Sequence, residues 1–163
     1  MSDFTPEQKE MAALLPGTNI SPQTFLATDY LNHFNEVVML IDMLGDMPDM
    51  FEEVEGWQPK SYEDHFLDSV FSDKELAIAA YKIAPSRYRE PFDETIHQAD
   101  DVVLTSVAAI RTALDADEVH QVELIASKAS RILQKLIDVA SAIIHGSETG
   151  MSQSEVDAYM GKG

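Results

Sequence analysis

The fold is decided by residues 88–145, which read YREPFDETIHQADDVVLTSVAAIRTALDADEVHQVELIASKASRILQKLIDVASAIIH. Apolar and small residues recur three and four positions apart in each half, which is the spacing that lines one face of an α-helix. They are Tyr88, Phe92, Ile96, Ala99, Val103, Ser106, Ile110 and Ala113, then Val119, Val122, Ala126, Ala129, Leu133, Leu136, Ala140 and Ile143. An acidic turn at residues 115–117 separates the halves. The stretch therefore predicts a long antiparallel helical hairpin.

Two further helices are predicted before the hairpin. Ser21 and Pro22 form a start signal and Gly45 a stop signal, which indicates a helix over residues 22–44. Ser61 starts another helix that runs to about Ile83, with a second capping signal at Ser72. The fold class is therefore all-α: an elongated four-helix bundle built around the hairpin, with a short C-terminal peptide helix. The same spacing suits pairing with the hairpin of a second copy, so a homodimer is an open alternative.

Composition sets the limits on function. The chain has 163 residues, 45% of them hydrophobic, which suffices for one core. It has no cysteine, so disulfides and thiol chemistry are excluded. A net charge of −18 disfavours nucleic acid and anionic membranes and favours a basic protein face, although acidity equally serves solubility. With no signal peptide and no apolar span, we expect a cytoplasmic protein.

The expected organisation has three parts: an N-terminal arm at 1–20 that is loosely held, a helical bundle at 21–146, and a linker with a peptide at 147–163. The last thirteen residues read MSQSEVDAYMGKG. Ser152 and Glu155 are spaced as a capping box, while Val156, Tyr159 and Met160 share one helical side. A helix this short does not persist alone in water. It therefore docks on its own domain or is kept for a partner.

The sequence of this peptide resembles that of the response-regulator-binding peptide of the flagellar switch protein FliM, roughly L-S-Q-x-E-I-D-A-L-L. The matching residues are Ser152, Gln153, Glu155, Asp157 and Ala158, with Met151, Val156 and Met160 as conservative apolar replacements. Tyr159 departs from the pattern, which has leucine there. The resemblance covers about ten of 163 residues and implies that residues 151–160 bind a CheY-like receiver. The chemotaxis phosphatase family CheZ carries such a helix at the C-terminus of an elongated helical bundle, so the architecture resembles a remote CheZ-type protein.

The CheZ resemblance implies that the bundle promotes hydrolysis of the receiver's aspartyl phosphate. The phosphoryl group and its Mg²⁺ belong to the receiver, so the chain needs no cofactor of its own, only an amide to orient water and an acid. The CheZ motif D-x-x-x-Q matches Asp117 and Gln121, and Glu94 and Gln98 form a near match with glutamate as the acid. A spacing of four places both groups on one helical face. Asp117 also has a purely structural interpretation, since an acid in the first turn stabilises the helix dipole.

The distance that the tail can span distinguishes the two acid/glutamine pairs. Gln121 lies about 36 Å from His145 along one helix, whereas residues 147–151 extend only about 17 Å. Gln98 lies opposite about Leu133, roughly 18 Å from His145. The closer motif match and the more convenient geometry therefore point to different pairs, which a tail from a second copy would reconcile.

Other functions stay open. A noncatalytic chemotaxis or flagellar adaptor would use the same peptide. A di-iron bundle is suggested by Glu94 with His97 and by Asp29, His33 and Glu36, with Asp117 and His120 as a variant second pair, but the seam is mainly apolar. Phosphotransfer at His97 or His120 would require basic and small residues after the histidine, and a solvated helix face is favoured.

Overall fold

The structure, a computed structural model, describes residues 3–161; the outermost residues of the predicted arm and tail, 1–2 and 162–163, lie outside it. The chain is all-α, and the described part contains eight α-helices with two short 3-10 turns, Thr28–Leu31 and Pro48–Met50. One isolated antiparallel bridge joins Ile20 and Ala27. The helices are α1 (Pro6–Leu14), α2 (Asn32–Met43), α3 (Phe51–Glu55), α4 (Tyr62–Leu67), α5 (Lys74–Lys82), α6 (Ser86–Asp115), α7 (Val119–Ile144) and α8 (Gln153–Tyr159).

The two long helices lie where the spacing places them. α6 and α7 pack against each other through most of the predicted seam residues, although Ile96 is half-buried and Val119 is exposed. The turn between them depends on Asp117, whose φ of 57° is in the left-handed region. That geometry lets the Glu118 N–H donate to the carbonyl of Ala113 at 2.8 Å, which satisfies a free carbonyl at the end of α6.

The four-helix bundle is not confirmed. The predicted helix over 22–44 begins as a loop, in which Phe25 has a φ of 65°, and its α-helical part is α2. The predicted helix from Ser61 is two short helices, α4 and α5, separated near the Ser72 capping signal. α2 packs mainly against α7, and the shorter helices cover the remaining apolar surface. A bulky residue in the left-handed region interrupts helical hydrogen bonding at Phe25. The extended Ala27 and the 3-10 turn that follows then delay the start of α2 to Asn32.

Residues 3–20 of the N-terminal arm are packed rather than loosely held, contrary to expectation. Thr5 and Gln8 form a complete capping box for α1. The Gln8 amide also donates to the carbonyl of Ile83 at 2.9 Å. Phe4 and Ile20 are buried, and the Phe4 ring meets that of Phe25 with 5.2 Å between centroids. Aromatic packing thus joins this segment to the core.

Candidate functional site

The C-terminal peptide forms a separate helix, α8, with the predicted start. The Ser152 hydroxyl accepts from the Glu155 N–H at 3.2 Å, and the Glu155 carboxylate accepts from the Ser152 N–H at 3.5 Å. Both halves of the capping box are therefore formed. They satisfy two N–H groups that a helix start otherwise leaves free.

α8 docks on its own domain, in the groove between α6 and α7. The tail turns back after α7 and passes Gly150, where an added Cβ would lie 3.0 Å from the Thr95 hydroxyl oxygen and 4.0 Å from Ile143 Cδ1. Met151 and Val156 are then buried, with 7% and 2% of their surfaces exposed. Met160 is half-buried at the far end of α8. The tail thus runs along the hairpin from its open end toward its turn.

Gln98 holds the start of this docked tail. Its side-chain N–H donates to the main-chain carbonyl of Met151 at 3.1 Å, with a longer contact of 3.5 Å to the Gln153 side-chain oxygen. Gln98 is 2% exposed, and its Oε1 atom is buried without a hydrogen-bond partner. Glu94 lies one turn earlier and is exposed. The amide of the Glu94/Gln98 pair is therefore covered by the tail, while its acid faces solvent.

The Asp117/Gln121 pair differs from its predicted geometry. Asp117 lies in the turn before α7 begins at Val119, so the two residues do not occupy one face of a helix. The left-handed backbone at Asp117 explains the correction, because short acidic side chains tolerate this conformation. Gln121 is exposed and faces a groove of about 360 Å³ that Met160 also lines. The structure thus brings the end of the tail and Gln121 to one groove, which the estimate of reach did not anticipate.

Tyr159, the residue that departs from the FliM pattern, lies on the outer side of α8. It is 42% exposed. The Lys135 ammonium lies over its ring, 4.5 Å from the centroid, and donates a hydrogen bond to its hydroxyl. A cation over an aromatic ring is attracted by the ring's negative face. Tyr159 therefore adds a contact with α7 that is specific to the docked state. The other predicted peptide residues, Asp157 and Ala158, are half-buried and exposed.

Sequence reasoning missed a cleft on the other side of α6, with a volume of about 320 Å³. Its walls are Tyr30, Tyr62, Tyr81 and Phe92, and its carboxylates are Asp93 and Asp100. Burial raises the pKa of Asp100 to about 6, against a smaller opposite effect of His97, and its Oδ1 atom has no hydrogen-bond partner. Burial and the bond to Asp93, at 2.7 Å, raise the pKa of Tyr81 to about 12. These residues come from separate segments, so no sequence pattern connects them.

The histidines and acids named for a metal are dispersed. His33 stacks on Trp57 with 4.6 Å between centroids, and burial lowers its pKa. The Asp29 carboxylate instead pairs with His65 at 3.0 Å. Among residues 3–161, no group of three or more histidine, aspartate or glutamate side chains is placed to hold a metal ion.

None of the helices in the described part of the chain combines the length and apolar character that crossing a membrane requires. Comparison of the chain with protein-family models, with curated proteins and with solved structures finds no match.

Proposed function

We propose that this protein binds a phosphorylated CheY-like receiver through residues 151–160 and promotes its dephosphorylation in a CheZ-like manner. The observation that carries the proposal is the form of α8: a short helix with its own complete cap, joined to α7 by a linker and seated through few contacts. Departure of this segment takes only two buried side chains, Met151 and Val156, out of the hydrophobic core. The segment has the properties of a docking peptide, and its residues match a receiver-binding pattern.

The exposed side chains of α8 favour binding to a polar partner. Gln153 and Glu155 are exposed on the docked helix, so a receiver can approach this side first. The chain's net charge of −18 favours a partner with a basic face, because charge complementarity speeds encounter. A cytoplasmic location follows from this proposal, since it is where such receivers act.

Catalysis requires an amide that reaches the receiver's phosphoryl site. Gln121 is exposed beside the groove, so it is accessible while α8 is docked. Gln98 becomes accessible only after the tail leaves. In either case the amide would orient the attacking water, an acid of the pair would engage a receiver lysine, and the receiver would supply Mg²⁺.

A homodimer belongs to the same proposal. Leu104 on α6 and Val119 and Leu124 on α7 are apolar and roughly half exposed. Exposed apolar side chains favour association when a second copy covers them. Two hairpins paired through this region would complete a four-helix bundle, which sedimentation equilibrium would detect as a doubled mass.

A second candidate function is a noncatalytic adaptor that uses the same peptide. The burial of Gln98 favours it, because a buried amide that binds the main chain has a sufficient structural role.

Phosphate release from a phosphorylated receiver separates the two functions. The assay uses the intact protein, Gln121→Ala, Gln98→Ala and the chain cut after Gly150. Acceleration by the intact protein, lost in one glutamine variant and in the cut chain, supports the phosphatase. Receiver binding without acceleration identifies the adaptor, and unchanged receiver binding by the cut chain would contradict both.

A further inference from the structure

The side chains at the apolar positions of the receiver-binding pattern are also those that hold α8 on its own hairpin. Met151 and Val156 occupy apolar positions of the pattern, and both are buried in the docked state. Tyr159 occupies a third apolar position and contacts Lys135. One side chain cannot be buried in two interfaces at once. A receiver that uses these side chains must therefore take α8 off the hairpin.

We propose that the α6–α7 groove is an internal binding surface for α8 that competes with the receiver, so that capture of the receiver and exposure of Gln98 are one event. This inference rests on the proposed function. The docked tail acts as a cover, and the partner removes it by binding the same apolar face.

The strength of docking suits this competition. The contacts are two buried apolar side chains, the half-buried Met160, one hydrogen bond from Gln98 to the main chain and the exposed Lys135 contact. A seven-residue helix is unstable in water by itself, so α8 is helical on one surface or on the other. When docking is favoured about tenfold, the receiver's apparent affinity for the whole chain falls about tenfold.

Removal of the cover changes the site beneath it. Gln98 loses its bond to the Met151 carbonyl, and both ends of its amide become free to bind water. The exposed carboxylate of Glu94 lies one turn away on the same helix. The near-match acid and amide are thus accessible together only when the tail is engaged elsewhere. Departure of Met160 also opens the groove that contains Gln121 and the unpartnered Ser106 hydroxyl.

Gly150 offers a substitution that weakens docking without altering residues 151–160. An added Cβ there would lie 3.0 Å from the Thr95 hydroxyl oxygen and 3.7 Å from the Pro91 carbonyl oxygen. A leucine at this position would crowd the Thr95 hydroxyl, and we expect the tail to move away from α6 to relieve the crowding. Thr149→Leu is the matched control, because it adds the same side chain one residue earlier at an exposed position.

The experiment measures the dissociation constant of beryllofluoride-activated CheY-like receivers from the same cell. The ligands are the full chain, Gly150→Leu, Thr149→Leu, and the isolated peptide 147–163 with and without Gly150→Leu. We expect the peptide to bind about tenfold more tightly than the full chain, Gly150→Leu to recover most of this difference, and Thr149→Leu to recover none. Both peptides should bind equally.

Two outcomes overturn the inference in distinguishable ways. Equal affinity of the full chain, Gly150→Leu and the peptide shows that docking does not compete, while receiver binding stands. Failure of the peptide to bind any receiver overturns the receiver-binding function, and the inference with it.

Discussion

The side-chain amide of Gln98 donates a hydrogen bond to the main-chain carbonyl of Met151 at 3.1 Å, across 53 positions of the sequence. One partner is a candidate catalytic amide, and the other is the first residue of the candidate receiver-binding peptide. The two functional predictions thus meet in one contact.

Replacement of Gln98 by leucine should loosen α8. It removes the donor to the Met151 carbonyl, which is worth about 1 kcal/mol for a typical hydrogen bond. Amide hydrogen exchange in α8 should therefore accelerate about fivefold, as mass spectrometry of the C-terminal peptides would report. Gln134→Leu is the control, since that amide bonds to Ser130 on its own helix. Equal exchange in both variants would show that the Gln98 contact does not hold the tail.

Loss of the helix cap should weaken receiver binding by the isolated peptide. Ser152→Ala removes the acceptor for the Glu155 N–H, at a cost of about 1 kcal/mol. The isolated peptide 147–163 should then bind its receiver about fivefold more weakly, as measured by titration calorimetry. Ser154→Ala is the matched control within the helix and should change affinity little. Comparable losses of affinity in the two variants would mean that the helix cap does not contribute to receiver binding.

Tyr159 should favour the docked state over the receiver-bound state. Tyr159→Leu restores the leucine of the FliM pattern and removes the contact with Lys135, which is worth about 0.5–1 kcal/mol at an exposed site. Lys135→Ala should therefore strengthen receiver binding of the full chain about threefold. The isolated peptide lacks this lysine and serves as the reference. Tyr159→Leu should strengthen binding by the full chain more than by the peptide. The same gain in both would place the effect in the receiver interface alone.

The Asp100 carboxyl should make stability depend on pH. Its pKa is about 6 in the folded chain against an ordinary value of 3.8, so the folded state binds this proton more tightly than the unfolded state. The ionised carboxyl therefore destabilises the fold increasingly as pH rises from about 4 to 6, and the cost is complete above that range. Asp100→Asn should add about 1 kcal/mol at pH 7.5, after allowance for solvent screening of a partly exposed group, and less at pH 4.5.

Urea unfolding at the two pH values measures this difference, with the exposed neighbour Asp101→Asn as the control. A gain of the same size at both pH values would contradict a titrating origin.

The hairpin could be predicted from sequence because its signal is local and repeated. Each seam residue of α6 and α7 occurs three or four positions from the next, and the acidic turn separates the two runs. The start of α2 could not be predicted in this way. The apolar residues before it include Phe25, which is buried in a loop with left-handed backbone conformation. Burial in a loop and burial on a helix leave the same pattern in the sequence.

In the candidate site, too, some features could be predicted from sequence and others could not. The cap of α8 depends on residues three apart, so Ser152 and Glu155 predicted it correctly. The cover over Gln98 depends on a main-chain carbonyl, and every residue carries one, so no residue type could mark it. The spacing of Asp117 and Gln121 predicts one helical face, but the left-handed backbone at Asp117 is not visible in the pattern of acids.

Receiver capture by the tail can be measured as the affinity of an activated CheY-like receiver for the full chain and for the chain ending at Gly150. Circular dichroism first verifies that the shortened chain keeps its helical content apart from α8. We expect the shortened chain to lose at least about a hundredfold in affinity, or about 2.7 kcal/mol. Equal binding by the two chains would contradict receiver capture by the tail.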